Sequence, residues 1–245
     1  MTQQRRPRTR REVLAGVAAG SAVLAGCLGG DGDGDDGEPS GSGDDSDAGD
    51  DSPADGSDVP VRGDPEATVA LAVYEDYACP HCRDYVLNGS PELVEAYVEP
   101  GDIRYEHRDL PIPVADPESW EAASAAREML ARAGHDAFWD YAKRLYEEQS
   151  RLGTDTPELY AELATAIDDS VDGAAVRAAG VDRAHDDAVQ ADRERAVDLG
   201  AEGTPTFVLD GEIVASGYTD AVLAEVRAAI DEALGYDDNA GSGGY

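Results

Sequence analysis

The sequence predicts an α/β domain built around a Cys-Pro-His-Cys turn, and three observations carry that prediction. A short apolar run, Val69–Tyr74, ends just before Cys79-Pro80-His81-Cys82. A later stretch, Thr204–Ala215, reads as two short strands joined by an Asp210-Gly211 hairpin turn. Between them lies a long block of apolar stripes at helical spacing.

The chain begins with an address. Residues 1–12 carry Arg5, Arg6, Arg8, Arg10 and Arg11, and residues 13–25 are apolar but short for a membrane span. Thr9-Arg10-Arg11-Glu12-Val13-Leu14 resembles the twin-arginine export signal, and Leu24-Ala25-Gly26-Cys27 resembles the lipobox of bacterial and archaeal lipoproteins. The resemblance implies a signal peptide over 1–26 and a lipidated Cys27; a buried Cys27 is the alternative. Residues 27–64 are Asp, Gly, Ser and Pro with one base, Arg62, and read as a disordered acidic tether.

The domain is expected over 65–235, followed by a Gly-rich tail, 236–245. Ala67–Tyr74 reads as a buried strand. Arg83–Val98 continues a helix, broken near Asn88-Gly89-Ser90-Pro91 and restarted with Ser90 as N-cap. Asp102–Arg108 alternates like a strand, with Ile103, Tyr105 and His107 on one side. Residues from about 115 to 200 form the helical block. Trp120, Ala123, Ala126 and Leu130 share a face; so do Phe138, Tyr141, Ala142 and Leu145, and then Leu159, Leu163 and Ile167. These are packing faces, with an aromatic substrate groove as the sharper alternative. Thr219–Leu234 closes the domain as a helix.

A pair of cysteines two residues apart at a strand-to-helix turn suits thiol–disulfide chemistry. Cys79 sits where free helix N–H groups and the helix dipole favour an anion. Pro80 suits the first helical turn, and His81 adds a donor and part-time charge beside the sulfur. A structural disulfide closing so short a loop contributes little. Structural zinc usually needs four ligands, and no second Cys pair exists. No metal and no cofactor is expected.

The order strand, Cys79-to-Cys82 helix, strand, helical block, hairpin, helix resembles the thioredoxin fold with a helical insertion between its second and third core strands. Asp76-Tyr77-Ala78-Cys79-Pro80-His81-Cys82, Arg108-Asp109-Leu110-Pro111, Phe138-Trp139-Asp140-Tyr141 and Gly203-Thr204-Pro205-Thr206-Phe207 resemble the DsbA-type thiol–disulfide oxidoreductases, especially the tethered extracytoplasmic group. The resemblance implies that Cys79 is an exposed nucleophile, Cys82 a more buried resolving thiol, and Pro205 a cis-proline opposite them. Thr204 would then contact a bound peptide through its backbone. Many relatives carry a Glu six residues before the first Cys, where this chain has Val73, which leaves the proton relay open; Glu75 and Asp76 are nearby, on opposite faces of the strand by alternation, with simple solvation as their plain reading.

Charge bounds the partners. The chain has 53 acidic and 19 basic residues, net −34, with Lys143 as its one lysine. That excludes nucleic acid and anionic membrane surfaces as charge-driven partners, and it resembles proteins of extremely halophilic archaea. The implied function is oxidation of cysteine pairs in exported proteins, at the outer face of the cell membrane. A membrane redox partner, quinone-linked or thiol-donating, would serve the pair. The alternatives are a reductase or isomerase for a specific client, and a soft-metal module using Cys79, Cys82 and His81 on Cu(I).

Overall fold

A computed structural model of the protein describes residues 59–113 and 115–236. Five strands form one mixed sheet: β1 (Val61–Gly63), β2 (Val69–Glu75), β3 (Ile103–Asp109), β4 (Thr206–Leu209) and β5 (Glu212–Ser216). Their spatial order is β1-β3-β2-β4-β5. β2 lies at the centre, parallel to β3 and antiparallel to β4. A central strand is covered on both faces, which is why β2 is nearly all apolar. Val69, Leu71, Val73 and Tyr74 are all buried. At the hairpin, Asp210 and Gly211 have φ of 48° and 90°, the paired positive φ that a two-residue turn needs.

β1 corrects the expected linker boundary at residue 64. Val61–Gly63 pairs antiparallel with β3, so the fold begins earlier. Arg62 explains it. Its guanidinium lies 4.5 Å over the Tyr105 ring and 4.3 Å over the Trp139 ring, and it donates to Ser90 Oγ at 2.6 Å. Two aromatic faces hold the Arg62 cation and anchor the strand to the fold.

The helix after the cysteines also differs from expectation. It does not break at Asn88–Pro91, and Ser90 is no N-cap. The backbone stays helical through α1 (Pro80–Asp84), a π turn (Tyr85–Gly89), α2 (Ser90–Leu93) and a second π turn (Val94–Val98). Ser90 has φ −56° and ψ −39°, and its N–H donates to Tyr85 O. The wider π turn relieves the clash that a proline ring makes with the preceding turn, so Pro91 continues the helix.

The helical block runs between β3 and β4, the second and third core strands once the edge strand β1 is set aside. It comprises α3 (Glu118–Glu147), α4 (Thr156–Ile167), α5 (Gly173–Val181) and α6 (Asp186–Leu199). α3 is two helices joined at Gly134, whose φ of 81° and ψ of −172° are open to glycine and hardly to any other residue. Phe138, Tyr141, Leu145 and Leu159 have no accessible surface. They are core, which removes the aromatic-groove alternative for that stripe. α7 (Asp220–Leu234) packs Leu223, Val226 and Ile230 into the cluster that holds Leu71, Val73 and Phe207.

A buried ionic network fastens the helical block to β3. Arg127 of α3 donates to Asp109 Oδ2 at 2.6 Å and to Asp192 Oδ2 at 2.5 Å. Arg108 donates to Asp192 Oδ1 at 3.0 Å and to Glu106 Oε2 at 2.7 Å. Removing one member of such a network strands buried charge. Arg127→Met should therefore cost about 3–5 kcal/mol by denaturation in molar salt. Arg132→Met, which loses the pair of a partly exposed arginine with Glu128, should cost at most about 1 kcal/mol. Equal losses in the two variants would contradict this assignment.

Candidate active site

Cys79 ends the turn after β2 and is the N-cap of α1, with φ −77° and ψ 122°; Pro80 holds the first helical position. Its N–H donates to Asp76 O at 3.0 Å, and its carbonyl accepts from Arg83 N at 3.1 Å. The thiol makes no capping bond and instead donates to Thr204 O at 3.6 Å. Once ionised, its sulfur is the anion that the helix start lacks. The Cys79 thiol is accordingly lowered to about 5, first by the hydrogen bond from the Cys82 thiol. Burial opposes the shift; the Thr204 side chain and the N–H groups of Cys82 and His81 assist it. Cys82 moves the other way. Burial pushes its thiol well up, helped by its bond to the Cys79 sulfur and by the negative charge of Glu75. The two sulfurs thus divide into a stabilised thiolate and a retained thiol.

Both cysteines are free thiols here. Cys79 is not the exposed residue the sequence suggested: it is 4% accessible and Cys82 0%. Gln149 of the helical block and Thr204 both contact the turn around Cys79. The Thr204–Pro205 bond is cis, and both residues are buried next to Cys79. Pro80 and His81 are exposed, and the His81 imidazole makes no hydrogen bond or ion pair among the described residues. What His81 gives the sulfur is its backbone N–H. Cys27, with the Thr9–Leu14 and Leu24–Cys27 motifs, lies outside the described residues.

Glu75 and Asp76 are the second correction: neither is solvated, being 2% and 1% accessible. Asp76 ties the turn together. Its carboxylate accepts from Ala78 N at 2.8 Å, Ile112 N at 2.7 Å and Ser119 Oγ at 2.9 Å. Burial nevertheless raises it to about 6. Glu75 Oε2 meets His107 Nδ1 at 3.0 Å, and His107 Nε2 meets Asp109 Oδ1 at 3.1 Å. Burial alone would lower His107, but the two carboxylates outweigh it and raise the imidazole to about 9.

The other Glu75 oxygen has no protein partner. It borders a cavity of about 240 Å³ whose walls include Arg62, Trp139 and Tyr146, each with a buried polar atom likewise without a protein partner. Alternation alone places His107 and Asp109 on one face of β3. The partner Glu75 is set by the parallel register, Glu75 opposite Asp109, which no local pattern encodes. Among the described residues, no group of three or more His, Cys, Asp or Glu side chains converges to hold a metal.

Residues 57–232 match the family model described as Thioredoxin. Disulfide bond formation protein D of Bacillus subtilis (strain 168) is 26% identical over 107 residues, covering 43% of this chain and 47% of that protein. The Na(+)/H(+) antiporter NhaA 3 of Salinispora tropica is 31% identical over 174 residues, covering 71% of this chain and 25% of the antiporter. The chain therefore spans about half the length of the first relative and a quarter of the second. The crystal structure of oxidised BdbD from Bacillus subtilis superposes with a TM-score of 0.63 at 21% identity, over 74% of this chain and 95% of that one. That likeness establishes the fold: a thioredoxin fold carrying a helical insertion.

The His107 pairing has a pH signature. The imidazole is protonated more readily folded than unfolded, so its stabilisation is complete below about pH 6.5 and is lost as pH rises through about 9. The Cys79 thiolate has the opposite slope over the same range, so the thiols must be removed to see it. In the double variant Cys79→Ser, Cys82→Ser, stability should fall between about pH 6.5 and 9, and adding His107→Gln should flatten that fall. An unchanged slope on losing His107 would contradict the charged assignment.

Proposed function

The chain belongs to the thioredoxin family, and from that premise we propose that it is an extracytoplasmic thiol–disulfide oxidoreductase that oxidises cysteine pairs of exported proteins. The observation that carries this reading is the division of the pair: Cys79 is held towards thiolate and Cys82 towards thiol. A couple whose reduced form is stabilised in this way draws electrons from its substrates. The name of the Bacillus subtilis relative, disulfide bond formation protein D, supports the same direction.

The cycle starts from the Cys79–Cys82 disulfide. A substrate thiolate attacks Cys79 Sγ, the Cys79–Cys82 bond breaks, and Cys82 leaves with the electron pair. Cys82 takes up a proton, because a thiol raised so far does not persist as thiolate. A second substrate thiolate attacks the substrate sulfur of the mixed disulfide and expels Cys79 as thiolate. The substrate gains a disulfide, the enzyme pair gains two electrons, and a quinone-linked membrane partner removes them. Thr204, whose carbonyl sits 3.6 Å from the sulfur, is placed to meet the incoming polypeptide, with Pro205 fixing the loop. Glu75, facing the cavity and acting electrostatically on Cys82, is the group we assign to proton exchange in place of the acid missing at Val73.

The lipobox and twin-arginine resemblances support export of the folded domain on a lipid anchor at Cys27, with residues up to about 58 as the tether. A reductase would use the same residues in the opposite direction, and an isomerase would use them with no net transfer of electrons. Among the described residues, the soft-metal alternative has no geometric support beyond the cysteine pair itself.

Two experiments test the reading. With Cys82→Ser, a cysteine-bearing unfolded substrate should be trapped as a mixed disulfide on Cys79, and Cys79→Ser should trap nothing; trapping on neither cysteine would contradict it. Glu75→Gln should slow reaction of the oxidised pair with a dithiol on the order of 100-fold. Stopped-flow fluorescence would follow that reaction, and an unchanged rate would remove Glu75 from proton exchange.

A further inference from the structure

Gln149 lies in the short 3-10 turn Gln149–Arg151 that follows α3. It is far in sequence from the cysteines and carries no charge. Yet its Nε2 donates to Tyr77 O at 2.8 Å and to Cys79 O at 3.0 Å. Three residues earlier, the Tyr146 carbonyl accepts from Arg83 Nε at 3.0 Å. The end of α3 is thus stitched to the turn on both sides of the cysteine pair.

The Cys79 carbonyl is a sensitive point to hold. As the carbonyl of the N-cap residue, it already accepts the first hydrogen bond of α1, from Arg83 N at 3.1 Å. A second donor on the same oxygen, shared with the Tyr77 carbonyl, fixes the Tyr77–Ala78 and Cys79–Pro80 peptide units on either side of the Ala78–Cys79 link. Those units set the extended ψ of 122° at the N-cap, and that ψ directs the side chain over the free N–H groups of the first helical turn. Release of the carbonyls would let the N-cap rotate and the sulfur drift from those donors.

We propose that Gln149 is a positioning residue for Cys79: by bridging the Tyr77 and Cys79 carbonyls it keeps the sulfur over the helix start, so the inserted helical block takes part in activating the thiol. The proposal rests on the redox reading of the pair and adds to it a residue outside the sheet and outside the four motifs.

A plain brace and a positioning group predict different readouts. Gln149→Met keeps the length and removes the donor. Gln149→Glu keeps the shape and sets a carboxylate against two carbonyl oxygens. Thiolate absorbance of the reduced protein should show the Cys79 midpoint raised by about one unit in the first variant, tenfold less thiolate at a given low pH, and by more in the second. Midpoints equal to the parent's in both variants would overturn the proposal, whatever happens to stability. A measurement on the unaltered protein guards against variants that do not fold. The Gln149 side-chain amide resonance should shift as Cys79 titrates, and a resonance that stays flat through that titration would overturn it as well. Both readouts use the reduced protein alone, so they succeed or fail separately from the trapping experiment.

Discussion

The free N–H groups at the start of α1 are the constraint on which the rest of the site depends. A helix that begins without a Ser, Thr, Asp or Asn cap leaves donors that favour an anion. Here the N-cap is Cys79, and its thiol donates elsewhere in the protonated form. The missing anion is the thiolate itself. Pro80 carries the same logic one position further, filling the first helical position with a residue that has no N–H to satisfy. β2 delivers the turn from the centre of the sheet, so the donors point from a fixed base.

Around that point the protein spends buried polar groups freely. Asp76 collects three donors from the turn, the Ile112 segment and α3. His107 stands between Glu75 and Asp109, and Arg127 passes the charge on to Asp109 and Asp192. Burying charge is unfavourable unless each group is paired. Here the pairing joins β2, β3, α3 and α6 into one frame. The acidic excess outside this frame is a different matter, a solvated charge that salt screens. The same chain therefore uses carboxylates in two ways, as surface charge and as internal fastening for Arg108 and Arg127.

Much of this was readable from the sequence, and what was not has a physical reason. The Cys79–Cys82 turn, the central strand, the hairpin at Asp210-Gly211 and the placement of the helical block follow from local patterns: spacing, alternation and turn chemistry. β1 was missed because three residues in an acidic stretch have no period; Arg62 belongs to the fold through Tyr105 and Trp139, which lie far along the chain. The break expected at Ser90-Pro91 was misplaced because a π turn absorbs a proline that a regular helix would not. Glu75 and Asp76 read as solvated because charge at the end of a strand usually is, and only the β2–β3 register and the start of α3 show what covers them. Gln149 gave no signal, since an uncharged residue bonded to backbone carbonyls leaves no pattern in the sequence that encodes it.

The direction of electron flow turns on one quantity, the stability of the reduced pair relative to the disulfide. Its direct test is the reduction potential of Cys79–Cys82, taken by equilibrating the described domain, from about residue 59, against glutathione in molar salt. Stabilised Cys79 thiolate predicts an oxidising couple, near about −120 mV. A potential near about −270 mV, in the range of thioredoxin-like reductants, would contradict the oxidase reading and reverse the direction of electron flow.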